Sequence, residues 1–168
     1  WRALLEDGFQ RHDILVNLGG GVVTDLGGFV AANFKRGMNC WLLPTSLIGM
    51  IDAAIGAKNA LNFRGFKNQI GTFYAPECIY IQRRFLETLP EEELQNGYAE
   101  WIKHLLVGDA HSWKQWQRHG NSKVLPSEDD LRNNMQIKLE IVARDPWDYD
   151  VRKALNFGHS LGHAMEGL

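Results

Sequence analysis

Cysteine is nearly absent from this sequence: Cys40 and Cys78 are the only two in 168 residues. A disulfide framework is therefore excluded, and reduced thiols in a cytoplasmic protein are the expectation. Long apolar runs are missing too. None approaches the ~18 residues of a membrane helix, and no charged-then-apolar leader opens the chain. Charge of either sign is not in excess, with 18 Lys plus Arg against 20 Asp plus Glu. That balance gives no broad cationic surface for nucleic acid or for a membrane. An initiator Met is lacking, and the last residues before Leu168 read as the middle of a helix without a cap. An internal piece of a longer protein is expected. There are no internal repeats and no low-complexity tract. The remainder is ordinary globular material, 45% hydrophobic and 23% charged, enough for one sizeable core or two small ones.

Its organisation changes once along the chain. Residues 14–18 (ILVNL) read as a buried strand that stops at Gly19, Gly20 and Gly21. Residues 22–33 suit a helix with small residues on its packing face, and 40–43 (CWLL) a second strand ended by Pro44, with Thr45 or Ser46 placed to cap the next segment. Residues 78–82 (CIYIQ) read as a third strand. This alternation is that of a parallel α/β sheet. Beyond Pro90 the signals are helical. Glu91, Glu92 and Glu93 put negative charge in a first turn. Helices are expected at about 91–106, 110–119, 127–144 and 150–168, with no strand after about 83.

Four segments hold residues suited to chemistry. Glycines 19–21, with Asp25 following, let backbone N–H groups approach a pyrophosphate at a helix N-terminus; a tight structural turn accounts for them equally well. Segment 51–73 sets Asp52, Lys58, Lys67 and Asn68 among glycines, where lysines can hold phosphate, or can lie in a solvated loop. Glu100, Lys103 and His104 fall at i, i+3 and i+4 on one helical face, which is also the pattern of a wet amphipathic face. His159 and His163 are four apart, a metal-ligand spacing, with Asn156 one turn earlier. Lys138 and Arg152 add positive charge upstream.

In this order, the glycine turn with its Asp, an Asp-x5-Lys, a Lys-Asn, a helical Glu-x2-Lys and a closing Asn-x2-His-x3-His resemble one family across essentially the whole chain: the 3-dehydroquinate synthases. The resemblance implies the back half of a Rossmann-like parallel α/β domain at 1–88 and the front half of a helical metal-binding domain at 89–168. It implies a lyase that uses NAD and Zn2+ or Co2+ to convert 3-deoxy-D-arabino-heptulosonate 7-phosphate to 3-dehydroquinate and phosphate, on the shikimate route to aromatic amino acids. Gly19, Gly20, Gly21, Asp25, Thr45 and Ser46 would line the cofactor. Glu100 and His159 would ligate the metal, with a third histidine beyond Leu168. Asp52, Lys103 and His163 would serve catalysis near the substrate hydroxyls. Lys138 and Arg152 would grip a carboxylate, and Lys58, Lys67, Asn68 and Asn156 would surround the phosphate. Arg36 would be lent across a homodimer interface. The fragment alone is expected to be inactive.

Ala53, Ala54, Ala57 and Asn59 depart from the family text, which runs Asp-Ser-Ser…Gly-Gly-Lys-Thr. The rivals are a paralogous sugar-phosphate cyclase, a glycerol dehydrogenase-like alcohol dehydrogenase, and a non-catalytic domain that keeps the fold. A carboxylate grip argues against the first, and the number of cations against the second.

Overall fold

The computed structural model describes residues 1–158. After a short helix α1 (Arg2–Glu6), strand β1 (Ile14–Gly19) leads into α2 (Gly21–Asn33), and β2 (Asn39–Pro44) comes next. Strands β1 and β2 pair in parallel along their whole length, from Ile14 opposite Asn39 to Gly19 opposite Pro44. Strand β5 (Cys78–Ile79) joins the far side of β2, also in parallel, giving the order β1-β2-β5. Helix α2 lies on one face. Its Gly27 admits the Asn17 side chain of β1, because a Cβ there would fall 1.7 Å from Asn17 Oδ1. Under it Ala31, Phe34, Met38, Cys40 and Leu42 form a core. On the other face Ile14, Val16 and Leu18 stay 39–57% exposed. The expected fully buried β1 strand is therefore covered on one side only among the described residues.

The segment read as a glycine-rich loop is ordered sheet. Strands β3 (Lys58–Phe63) and β4 (Phe66–Phe73) form an antiparallel hairpin. Arg64 and Gly65 turn it with φ of 49 and 85, the left-handed pair that a two-residue hairpin turn requires. The expectation of parallel strands alone over 1–88 is thus corrected. The hairpin escapes periodicity because neither of its faces is a continuous apolar stripe.

Helices α3 (Glu91–Gly108), α4 (Ala110–His119) and α5 (Glu128–Arg144) lie close to the expected bounds. Only a 3-10 turn, Val151–Asn156, is described of the 150–168 helix. No strand occurs after β5 among the described residues. The helices share one core with the turn after β2: Leu47, Met50 and Ile51 pack with Leu94, Tyr98, Trp101, Leu105 and Leu131. Helix α3 closes on that turn at Gly97, where a Cβ would come within 2.5 Å of Leu47.

Candidate active site

The turn that carries Asp52 is a single π-type turn, Gly49–Ala53. Ser46 Oγ accepts the Gly49 N–H at 3.2 Å, so the expected cap is Ser46. Because Met50 and Ile51 are driven into the helical core, Asp52 emerges toward a cavity of about 450 Å³. Its walls are this turn, the hairpin, α3, α5 and the turn 151–156. Asp25, Asp52, Lys58, Lys103, Lys138 and Arg152 all line it, together with Asn68 and Asn156. Four cations against two carboxylates make it a site for an anion, in a chain whose net charge is −2.

Lys138, one of these cations, is already committed. Its Nζ donates to the Asp52 carbonyl at 2.6 Å and to Asp52 Oδ1 at 2.5 Å. Burial would raise the Asp52 pKa. The Lys138 ammonium, the adjacent His104 imidazole 3.4 Å away and the charge of Lys103 outweigh that and hold it below the usual carboxylate range. Burial also depresses Lys138, against the pull of Asp52. Asp25 goes the other way: burial, with Asp52 adding to it and Lys138 opposing, lifts it to about 6.

Arg152 is 3% exposed. The loop before it is set by Asp145, whose carboxylate accepts the N–H groups of Tyr149, Asp150 and Arg152. The guanidinium donates to the carbonyls of Pro146 and Gly56, both at 2.8 Å. Gly56 must be glycine here: its φ is 101, and a Cβ would lie 2.4 Å from Arg152 Nη2. Among the described residues no carboxylate lies within ion-pair range of Arg152.

Lys103 pairs with Glu100 on the same helix. The coordinating atoms of Asp52, Glu100 and His104 lie within 4.8 Å of one another. A carboxylate and an imidazole on a buried helical face are donors suited to a zinc-type ion. As it stands the cluster is balanced by Lys103 and Lys138, so an ion bound at Glu100 would take the place of Lys103. For a dinucleotide, the N-terminus of α2 sits beside the parallel ends of β1 and β2, where Thr45 N–H reaches the Gly19 carbonyl at 2.9 Å. A Cβ on Gly20 or Gly21 would stand only 3.4 Å from Ser46 Oγ or 3.3 Å from Ala53 Cβ. That smooth crevice at strand ends fits a pyrophosphate.

Of the residues expected around the phosphate, Lys67 is not brought to the cavity and lies on the exposed hairpin; Arg36, expected to serve a partner's site, lies in an exposed turn after α2. His159 and His163 lie outside the described residues. Of the departures from the family text, Ala54 is core, and Asn59 fills the space left by Gly28 on α2. Ala57 holds φ 59 where the family text has glycine. Sequence reasoning missed Asp148, which pairs with Lys58. It also missed Asn134, and the contact of His104 with Asp52, although the four-residue step from Glu100 to His104 pointed at that face.

Comparison with known proteins agrees with this geometry. Residues 1–96 match the family model 3-dehydroquinate synthase N-terminal, and 97–168 match 3-dehydroquinate synthase C-terminal. The 3-dehydroquinate synthase of Parabacteroides distasonis is 42% identical over all of this chain and 48% of its own length; that of Pyrococcus furiosus is 43% identical over all of this chain and 50% of its own. The chain thus spans about half the length of the curated relatives it matches. A solved 2-epi-5-epi-valiolone synthase from Streptomyces hygroscopicus, with NAD+ and Zn2+ bound, superposes with a TM-score of 0.89 at 36% identity, over 98% of this chain and 48% of that one. With both halves matched end to end, the chain belongs to the 3-dehydroquinate synthase family.

Proposed function

We propose that the full-length protein is a 3-dehydroquinate synthase, a phosphate-eliminating lyase acting on 3-deoxy-D-arabino-heptulosonate 7-phosphate. The observation that carries this reading is Arg152: a buried guanidinium on the cavity wall, hydrogen-bonded to carbonyls alone. Burial depresses its pKa while Asp148, Asp145 and Asp52 favour its charge from beyond ion-pair range, so a substrate carboxylate would be its direct, bidentate partner. The curated relatives, at 41–44% identity, support the same substrate.

NAD and a divalent metal, when bound, would supply the hydride acceptor and the Lewis acid that acidifies a hydroxyl. Gly19, Gly20, Gly21, Asp25, Thr45 and Ser46 would hold the dinucleotide. Glu100 and His159, with a histidine outside this chain, would hold the metal. Asp52, kept ionised by Lys138, would accept a hydrogen bond from a substrate hydroxyl, with Lys103 and His163 beside it. Lys58, Asn68 and Asn156 would take the phosphate end. Lys138 would contribute charge from its place on Asp52. A homodimer, with Arg36 reaching the partner site, a cytoplasmic location, a boundary near residue 88 and inactivity of this piece alone belong to the same reading. No described helix is long and apolar enough to cross a membrane.

Phosphate release by the full-length enzyme, with and without NAD and metal, tests the activity. Arg152→Met should lower turnover of the carboxylate-bearing substrate by roughly tenfold to a hundredfold, the worth of one charge-assisted hydrogen bond. Unchanged kinetics would reject the carboxylate grip and favour a paralogous cyclase.

A further inference from the structure

Behind the cavity wall lies a chain of buried polar groups to which the proposed function gives no role. His104 is fully buried, and Asn134 on α5 is 1% exposed. Asn134 Nδ2 donates to the Trp101 carbonyl at 3.2 Å. A carbonyl can only accept, so this contact fixes which way the amide points. Asn134 Oδ1 is thereby turned toward His104, 2.8 Å from Nδ1, and Nδ1 must carry the proton. The imidazole is held at one edge, and its other nitrogen, Nε2, faces Asp52 Oδ1 at 3.4 Å. Nε2 has no hydrogen-bond partner among the described residues.

We infer that His104 is a positioning residue for Asp52, with Asn134 as its orienting partner. This rests on the proposed part of Asp52 in the reaction. Asp52 sits on a short turn, and its Oδ1 also receives the Lys138 ammonium. Lys138 alone fixes one oxygen by a flexible four-carbon arm. The flat imidazole, packed without any exposed surface, adds a rigid wall against that same oxygen. It keeps the carboxylate from rotating away from the cavity. Three elements meet in this contact: the turn Gly49–Ala53, α3 and α5. The residues concerned are 52, 104 and 134. Misplacement of a catalytic group by about an ångström costs on the order of a hundredfold, so the effect should fall on turnover and not on substrate affinity.

The test uses the full-length enzyme loaded with NAD and metal, assayed by phosphate release. His104→Phe keeps a flat aromatic ring, somewhat larger than imidazole, and removes both nitrogens. It should lower kcat by roughly a hundredfold and leave KM within about twofold, with bound NAD and metal per subunit unchanged. Asn134→Leu should act in the same direction but less. The double variant should be no worse than His104→Phe alone, because both act through one contact. Equal losses of kcat, KM, metal content and thermal stability would mark a merely structural role and overturn the inference, as would additive single effects. If His104→Phe does not fold, His104→Gln is put through the same assays under the same criteria. A wild type that releases no phosphate refutes the proposed function. A wild type that turns over while the His104 variant matches it refutes only this inference.

Discussion

The two long walls of the cavity are built on opposite principles. On the helical wall, Lys103 and Lys138 have side chains only 8% exposed, and each is held against a carboxylate. On the hairpin wall, Lys58 has a side chain 43% exposed and meets Asp148, itself 16% exposed, from the solvent side. The helical wall is backed by a shared apolar core, so its polar groups must find partners or suffer a desolvation penalty of several kcal/mol. The hairpin is two strands with mostly exposed side chains, and water can serve its groups equally well. Position is therefore fixed on one side, while the other side is free to adapt to a ligand.

Removing one lysine from each wall probes this difference most directly. Lys138→Met leaves the Asp52 carboxylate without its nearest cation, and a broken buried pair costs roughly 3–5 kcal/mol. Urea unfolding of this chain should show the midpoint falling sharply. A loss under ~1 kcal/mol would mean that water replaces the ammonium and that the helical wall is not the rigid one.

A pH titration sharpens the contrast from between the walls. Asp25, lifted to about 6 by burial, holds its proton more tightly folded than unfolded. Its contribution is present in full below about 3.8 and is lost as pH rises through about 6. Asp25→Asn should therefore be more stable than wild type at pH 7 and lose that advantage at pH 4. Parallel melting-temperature profiles for the two proteins between pH 4 and 7 would contradict it.

The smallest effect is expected at Lys58→Met. Water reaches this pair from the Lys58 side, and a pair open to water contributes only about 0–1 kcal/mol, so the urea midpoint should move far less than with Lys138→Met. A loss equal to that of Lys138→Met would erase the distinction between the walls.

How far each wall could be read from sequence obeys the same division. Glu91–Glu93 behind Pro90 marked the start of α3 to the residue, because that signal is local. The hairpin carried one local signal, Gly65 after Arg64 between phenylalanines, and it was too weak without a continuous apolar stripe on either face of the exposed strands. Within the site, the roles of Asp52, Lys103, Lys138 and Arg152 came from resemblance; helical spacing set His104 beside Glu100, whereas the contacts of His104, Asn134 and Asp148 are displayed by no spacing.

By itself, the sequence determined the parallel strands β1 and β2, the three long helices, the glycine turn at the start of α2, and the list of charged residues, since these depend on neighbours within a few positions. Only the tertiary structure decided that Lys138 meets Asp52 across 86 residues and that Arg152 meets Gly56 across 96. It also decided that Lys138 meets Asp52 directly while Arg152 feels Asp148, Asp145 and Asp52 only from a distance. Those outcomes depend on which buried group lies nearest once the core around Leu47, Met50 and Tyr98 has closed. A linear pattern cannot encode that distance, because packing against residues far along the chain sets it.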